Sequence, residues 1–345
     1  VPVLHVILPG DIDDPASPSG GNGYDRRICA GLAATGWTVR EHPVPGAWPQ
    51  PSPAEHAVLA GVLTGLPDDA LVLVDGLVAS VAPDTLAGHA RRLRLVALVH
   101  LPRDDDTEAR ALACATTVVA TSAWTRERLL RRYALPADRV HVAAPGVDPA
   151  PPAAGSAAGS ALLCVAAVAA HKGHDVLVEA LAEVTDRSWT LTCVGALHRD
   201  PAFVDRLRDR LRVHRLDGRV RLTGPLTGDR LAAAYAAADL LVHPSRGETY
   251  GMVVTEALAR GIPVLATAVG GLPDTLGHTV AGDRPGLLVP PEDPATLATA
   301  LRQWLDDAAL RADLRRAAAQ RRATLDDWTS TTTRITTALK EAMAR

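Results

Sequence analysis

Lysine is almost missing from this chain: of its 36 basic residues only Lys172 and Lys340 are lysines. With Ala and Pro abundant, this reads as a compositional bias toward Arg, Ala and Pro, so a lysine kept within it stands out. An excess of one charge sign is also lacking. The 36 Lys and Arg stand against 39 Asp and Glu, a net −3, so no global field recruits nucleic acid or an anionic membrane. The four cysteines, Cys29, Cys114, Cys164 and Cys193, form no C-x-x-C pair, which argues against a zinc or dithiol redox site. Set among apolar residues, they are expected to be buried free thiols of a reducing compartment. No apolar stretch approaches the ~20 residues needed to span a bilayer. The start, VPVLHVILPGDID, has no basic leader and meets Pro9 and Gly10 after one apolar run, so it reads as a strand and not as a signal peptide. A cytoplasmic protein is expected.

What is present suits two α/β domains. The 345 residues are 47% hydrophobic and 22% charged, too mixed for a disordered or fibrous chain and long for one domain. Apolar runs recur at 3–8, 70–74, 95–99, 117–120 and 140–143, with helical candidates such as 24–34 and 124–133 between them. Runs apolar on both faces imply strands of a parallel sheet covered by helices. The segment 145–161, PGVDPAPPAAGSAAGSA, is the most linker-like in the chain. Beyond it the alternation restarts, with strands expected at 162–168, 190–194, 220–222, 240–243, 264–266 and 286–289. The expected domains are therefore 1–150 and 151–326, two Rossmann-like halves with a ligand crevice at the carboxyl ends of their strands, followed by a helix over 327–345 that returns to the first half.

Three segments carry candidate chemistry. In PSGGNGYDRR, Gly20, Gly21 and Gly23 precede a helix whose free N–H groups and dipole favour an anion; the spacing is not the G-x-G-x-x-G of dinucleotide binding. A plain turn explains these glycines equally well. In VAAVAAHKGHDVLVEAL, Lys172 follows a strand and opens a helix, a place suited to phosphate, although a solvated lysine is the ordinary alternative. The third, residues 243–271, places Glu248 in a loop and Glu256 in the second turn of a helix starting near Gly251. Carboxylates there accept bonds from sugar hydroxyls, and the amides of Tyr250, Gly251 and Met252 suit a diphosphate.

The pair Glu248 and Glu256, inside P-S-x-x-E-x-x-G and followed by E-A-L-A-x-G-x-P-V and G-G-L-P, resembles the donor-site signature of the retaining glycosyltransferases of family 4, group 1, which have the GT-B fold. Lys172-Gly173, the V-x-L-x-G-P of 220–225, the A-A-D of 237–239, the G-L-L-V-P-P-E-D of 286–293 and the Gly20–Asn22 loop follow in the family's order. The resemblance is weakest over 40–95, where acceptors are usually recognised. It implies that domain 1–150 takes the acceptor and 151–326 the nucleotide sugar. By the same resemblance, Lys172 neutralises the donor diphosphate, Glu248 lies beside the transferred sugar and Glu256 binds the ribose. Thr249, Tyr250, Gly251 and Met252 line the phosphates and sugar, Gly20, Gly21 and Asn22 close over the diphosphate, and His100 meets the sugar near its reacting carbon.

One departure stands out. The family's Arg about five residues before the Lys is replaced here by the apolar run 166–170, and Arg246 and His171 are the nearby candidates to compensate. The acidic runs Asp11, Asp13, Asp14 and Asp104–Asp106 read as solvated loop carboxylates, so no metal and no cofactor beyond the nucleoside diphosphate sugar is expected. The resulting expectation is a hexosyltransferase acting with retention from a UDP- or GDP-linked sugar to a hydroxyl acceptor, either a small molecule or a glycan- or lipid-linked one. A catalytically silent nucleotide-sugar binder and a sugar-nucleotide epimerase or hydrolase are the alternatives. No nucleic-acid partner is expected; peripheral membrane contact through Arg-rich helices, and a monomer or homodimer, stay open.

Overall fold

The computed structural model describes residues 1–345. They form two compact units: one comprises 1–14, 19–146 and 326–345, the other 15–18 and 147–325. The first unit holds six strands, β1 (Val3–Pro9), β2 (Thr38–Val44), β3 (Leu71–Asp75), β4 (Arg94–Val99), β5 (Thr117–Ala120) and β6 (Val140–Val142). They pair in the order β2-β1-β3-β4-β5-β6, all parallel. The central strand β3 is buried at all five positions, as a sheet covered on both faces requires. The edge strand β2 is largely exposed, and its sequence, TVREHPV, carries no apolar run to announce it.

The helix Trp328–Ala344 packs in this unit, burying Ile335, Ala338, Leu339 and Ala342 among Leu4, Val6, Leu8, Ile28 and Leu32. Each fully buried Leu or Ile contributes ~1.5–3 kcal/mol, so the helix is fixed by its apolar stripe.

The second unit repeats the plan with β7 (Ala161–Val165), β8 (Thr190–Val194), β9 (Val220–Leu222), β10 (Leu240–His243), β11 (Val264–Thr267) and β12 (Gly286–Val289). Their order is β12-β11-β10-β7-β8-β9, again parallel throughout. In such sheets ligands bind outside the carboxyl ends of the strands where the winding reverses. That point lies between β7 and β10 here, and between β1 and β3 in the first unit.

Two expectations need correction. The first helix begins at Gly20, not Tyr24, because Ser19 caps it by accepting from the Asn22 amide at 3.1 Å; Gly20, Gly21 and Asn22 thus form a helical turn and not a loop. The Pro- and Ala-rich segment has no regular structure over 145–160, after which β7 takes over, yet it is anchored rather than loose. The buried Asp239 carboxylate accepts from Ser156 Oγ at 2.7 Å and the Ala161 amide at 2.9 Å, and the Ala153 amide donates to Arg260 O at 2.9 Å. Trp304 is fully buried, and its Nε1 donates to Gly159 O at 2.7 Å. The four cysteines are free thiols. Cys164 and Cys193 are register partners on β7 and β8, a proximity their 29-residue separation hides.

Candidate active site

At the reversal point of the second unit, the turn after β7 and the loop after β10 meet. The short 3-10 turn Ala170–Lys172 ends at Gly173, whose φ of +69° and approach to Pro244 O, 2.0 Å from where a Cβ would stand, exclude any side chain. That contact aims Lys172 at the neighbouring loop, where its Nζ donates to Glu248 Oε2 at 2.8 Å. His243 Nε2 lies 3.2 Å from the same oxygen and 3.2 Å from Ser245 Oγ. The backbone of Glu248 is fixed in turn: Gly271 N donates to Glu248 O at 3.0 Å, and Gly270, at φ +54°, sits too close to that oxygen for any Cβ.

Burial pushes the Glu248 carboxyl up, but the hydrogen bond with His243 and the Lys172 charge outweigh it and hold the group well below the carboxylate range. Glu248 is therefore ionised, and it holds the Lys172 ammonium close to the carboxyl end of β7.

Glu256 occupies a different setting. The helix Met252–Leu258 starts from Gly251, at φ +87° and with no side-chain cap, and places Glu256 in its second turn. Tyr235, itself fully buried, donates its Oη to Glu256 Oε2 at 2.6 Å, and Arg260 lies 4.5 Å over the Tyr235 ring. Burial raises the Glu256 pKa, and the Tyr235 bond and Arg260 charge offset this only in part. Thr249 is buried between the two glutamates in sequence, and Tyr250 is half-buried beside it.

In the first unit His100 follows β4. Its Nε2 lies 2.8 Å from Asp25 Oδ1 and 3.4 Å from Asp75 Oδ2, with Asp25 in the helix Gly20–Ala34 and Asp75 ending β3. Gly21 backs onto the ring, 3.5 Å from its Cδ2 to the position of an added Cβ. At 2.8 Å, Nε2 and the Asp25 oxygen are in direct charge-assisted hydrogen bonding, joined through a proton.

Family models match most of this frame. That of the glycosyl transferases group 1 matches residues 159–307, and that of Glycosyltransferase Family 4 matches residues 74–151. The chain belongs to the group 1 glycosyltransferases of family 4. D-inositol 3-phosphate glycosyltransferase of Jonesia denitrificans is 38% identical over 221 residues, 58% of this chain and 51% of that protein. D-inositol 3-phosphate glycosyltransferase 1 of Catenulispora acidiphila is 33% identical over 276 residues, 72% of this chain and 64% of that protein. The chain spans about half the length of most such curated relatives, 51% and 54% for two of them.

Among solved structures, sucrose-phosphate synthase from Thermosynechococcus elongatus superposes with a TM-score of 0.82 at 23% identity, covering 100% of both chains. Anabaena Alr3699/HepE in complex with UDP-glucose gives 0.75 at 20% identity, covering 98% of this chain and 99% of that one. The fold is the two-domain α/β GT-B architecture.

Within this family-4 frame, Lys172 and Glu248 come together while Glu256 stands apart with Tyr235. Gly20, Gly21, Asn22 and His100 belong to the other compact unit. Arg246 is already engaged: Asp175 binds its guanidinium at two points, both 2.9 Å, Glu292 holds its Nε at 3.1 Å, and Ala170 O accepts from its Nη1. It braces the turn that carries Lys172. Burial, with the Lys172 charge second, lowers the pKa of His171, so this ring is not a ready cation.

Sequence reasoning missed Asp25, Asp75, Tyr235 and His243. The signal for Asp75 was there to read, an acid closing the apolar strand LVLVD at its carboxyl end; Tyr235 carried none.

Proposed function

We propose that the chain moves a hexose from a UDP- or GDP-linked sugar to a hydroxyl acceptor, with retention at the anomeric carbon. The observation that carries this reading is the Lys172–Glu248 pair at the β7/β10 reversal point, 2.8 Å apart and largely buried. The chemical task is to separate an oxocarbenium-like sugar from a departing diphosphate. The bond between the anomeric carbon and the diphosphate oxygen breaks, the acceptor oxygen bonds to that carbon on the same face, and the acceptor proton passes to a donor phosphate oxygen.

Lys172 and the amides of Gly251 and Met252 stabilise the leaving diphosphate, a role for preorganised donors and cations that needs no divalent ion. Glu248 aims Lys172 and lies beside the sugar. Glu256, oriented by Tyr235, accepts from the ribose hydroxyls. In the first unit, His100 serves the sugar, and Gly21 leaves room for its ring.

The relatives' name supplies the first acceptor to try, D-inositol 3-phosphate. The test incubates the chain with UDP-[14C]glucose or GDP-[14C]mannose, that acceptor and a panel of other polyols, with and without EDTA. Labelled glycoside whose anomeric proton coupling matches the donor's, formed equally with EDTA, is the expected result. Donor saturation without turnover identifies a silent binder, and donor consumption without acceptor identifies a hydrolase or epimerase; either outcome overturns the proposal.

A further inference from the structure

The first unit holds two buried carboxylates about one imidazole, an arrangement richer than orienting a neutral ring demands. Neutral histidine has one N–H to give, and one acceptor fixes it. Here Asp25 and Asp75, with side chains 2% and 3% exposed, both face Nε2 of His100 at 2.8 and 3.4 Å. Asp75 is itself tied down, its Oδ1 accepting from the Leu77 amide at 2.7 Å. The Tyr24 ring meets His100 edge-on at 5.1 Å, and Gly21 closes the side beside Cδ2.

Two ionised carboxylates buried together without a cation cost several kcal/mol. His100 is the basic group that meets both. Among other charges nearby, Arg334 of the last helix acts on Tyr24.

We propose that Asp25 and Asp75 are positioning residues for His100: they turn its Nε2 inward and hold the ring as an imidazolium, so that its charge and its Nδ1–H are offered to the donor. This rests on the proposed function. Burial by itself would drive the ring proton off, but the Asp25 charge and the bonds to both acids raise His100 to about 10. Burial, and the Asp75 charge against the opposing His100 charge, bring Asp25 up to about 7. The cluster therefore keeps its imidazolium across neutral pH, and Asp25 takes up a second proton near pH 7.

The test reads His100 directly. Long-range 1H–15N correlation spectra of the full chain between pH 6 and 10.5, assigned by comparison with His100→Gln, report the protonation of both ring nitrogens. Wild type is expected to show an imidazolium at His100 through pH 8.5. Asp25→Asn moves its loss of the proton down by roughly 1–3 pH units, the range for removing an adjacent opposite charge, and Asp75→Asn by less. With either sugar nucleotide, the alkaline limb of kcat/KM moves with the NMR transition.

A neutral His100 at pH 7.5 in wild type, or a titration unmoved in both Asn variants, overturns the inference. If Asp25→Asn does not fold, Asp75→Asn carries the same test. An intact imidazolium in a wild-type chain that turns over no donor overturns the proposed function and leaves the clamp standing.

Discussion

Tyr235 precedes Glu256 by 21 residues in sequence and donates to it across 2.6 Å in space. The bond orients a carboxyl whose burial raises its pKa, and Arg260 spans the pair by covering the Tyr235 ring. Tyr235→Phe keeps the ring in place and removes only the donor, leaving Glu256 buried with one partner fewer. A loss of ~1 kcal/mol in stability is expected, the net value of one such bond. If Glu256 holds the ribose, UDP or GDP binding weakens by roughly 3- to 10-fold. Calorimetric titration of wild type and variant checks this, and unchanged affinity would remove Tyr235 from the donor site.

Lys172 and Glu248 are expected to fail in different ways. Lys172→Ala removes the cation proposed to face the leaving diphosphate and should lower kcat by ~10²-fold or more. Glu248 then keeps His243 as a partner at 3.2 Å, so the loop is expected to hold its place. Glu248→Gln keeps the shape of the side chain but frees Lys172 from its ion pair, so diphosphate binding should tighten or hold while turnover falls. Steady-state kinetics beside UDP affinity separate the two, and a Lys172→Ala enzyme with wild-type turnover would end the role assigned to it.

The strands were legible because most of them are buried on both faces, and such strands write themselves as apolar runs; β3 and β4 are examples. β2 was not, since an edge strand reading TVREHPV with much of its surface exposed has no such run. The residues 40–95 were also the part where the family resemblance thins.

In the candidate site, Lys172, Glu248 and Glu256 were nominated through local motifs, each with its glycine. The geometry explains those glycines: Gly173 and Gly270 sit against carbonyl oxygens that any Cβ would strike. What local pattern could not show was long-range pairing. Asp25 lies 75 residues from His100, and Asp175 lies 71 from Arg246. The second of these ties Arg246 to the helix that follows Lys172.

Asp239 gives the A-A-D motif a structural meaning. Its side chain is 1% exposed and is held by Ser156, the Ala161 amide and Arg315, so it pins the irregular segment entering β7 to the start of β10. Asp239→Asn loses the ion pair and turns one acceptor into a donor facing other donors. A cost of about 3–5 kcal/mol is expected, the range for breaking a buried charge pair from one side. Denaturant unfolding measures it. Activity per folded molecule should stay at wild type, because Asp239 touches none of the donor-site groups.

The two sites make opposite demands on pH. Glu248 is depressed below its unfolded value, so its contribution to stability is present above about pH 4.5 and is lost as pH falls below that point. His100 is raised from 6.5 to about 10, so its contribution is complete below about pH 6.5 and is lost as pH climbs toward 10. Asp25, raised to about 7, works in the same direction as His100, because the folded chain holds that proton longer than the unfolded one. Wild-type melting temperature is therefore expected to fall on both sides of a maximum at about pH 4.5, where the gain from Glu248 ends and the loss from Asp25 has begun. His100→Gln should flatten the alkaline slope between pH 7 and 10 while leaving the acid limb in place, and Glu248→Gln should flatten the acid limb alone. Melting curves of the three proteins across pH 3.5–10 decide the matter, since an alkaline slope that survives in His100→Gln would have to come from groups other than this cluster.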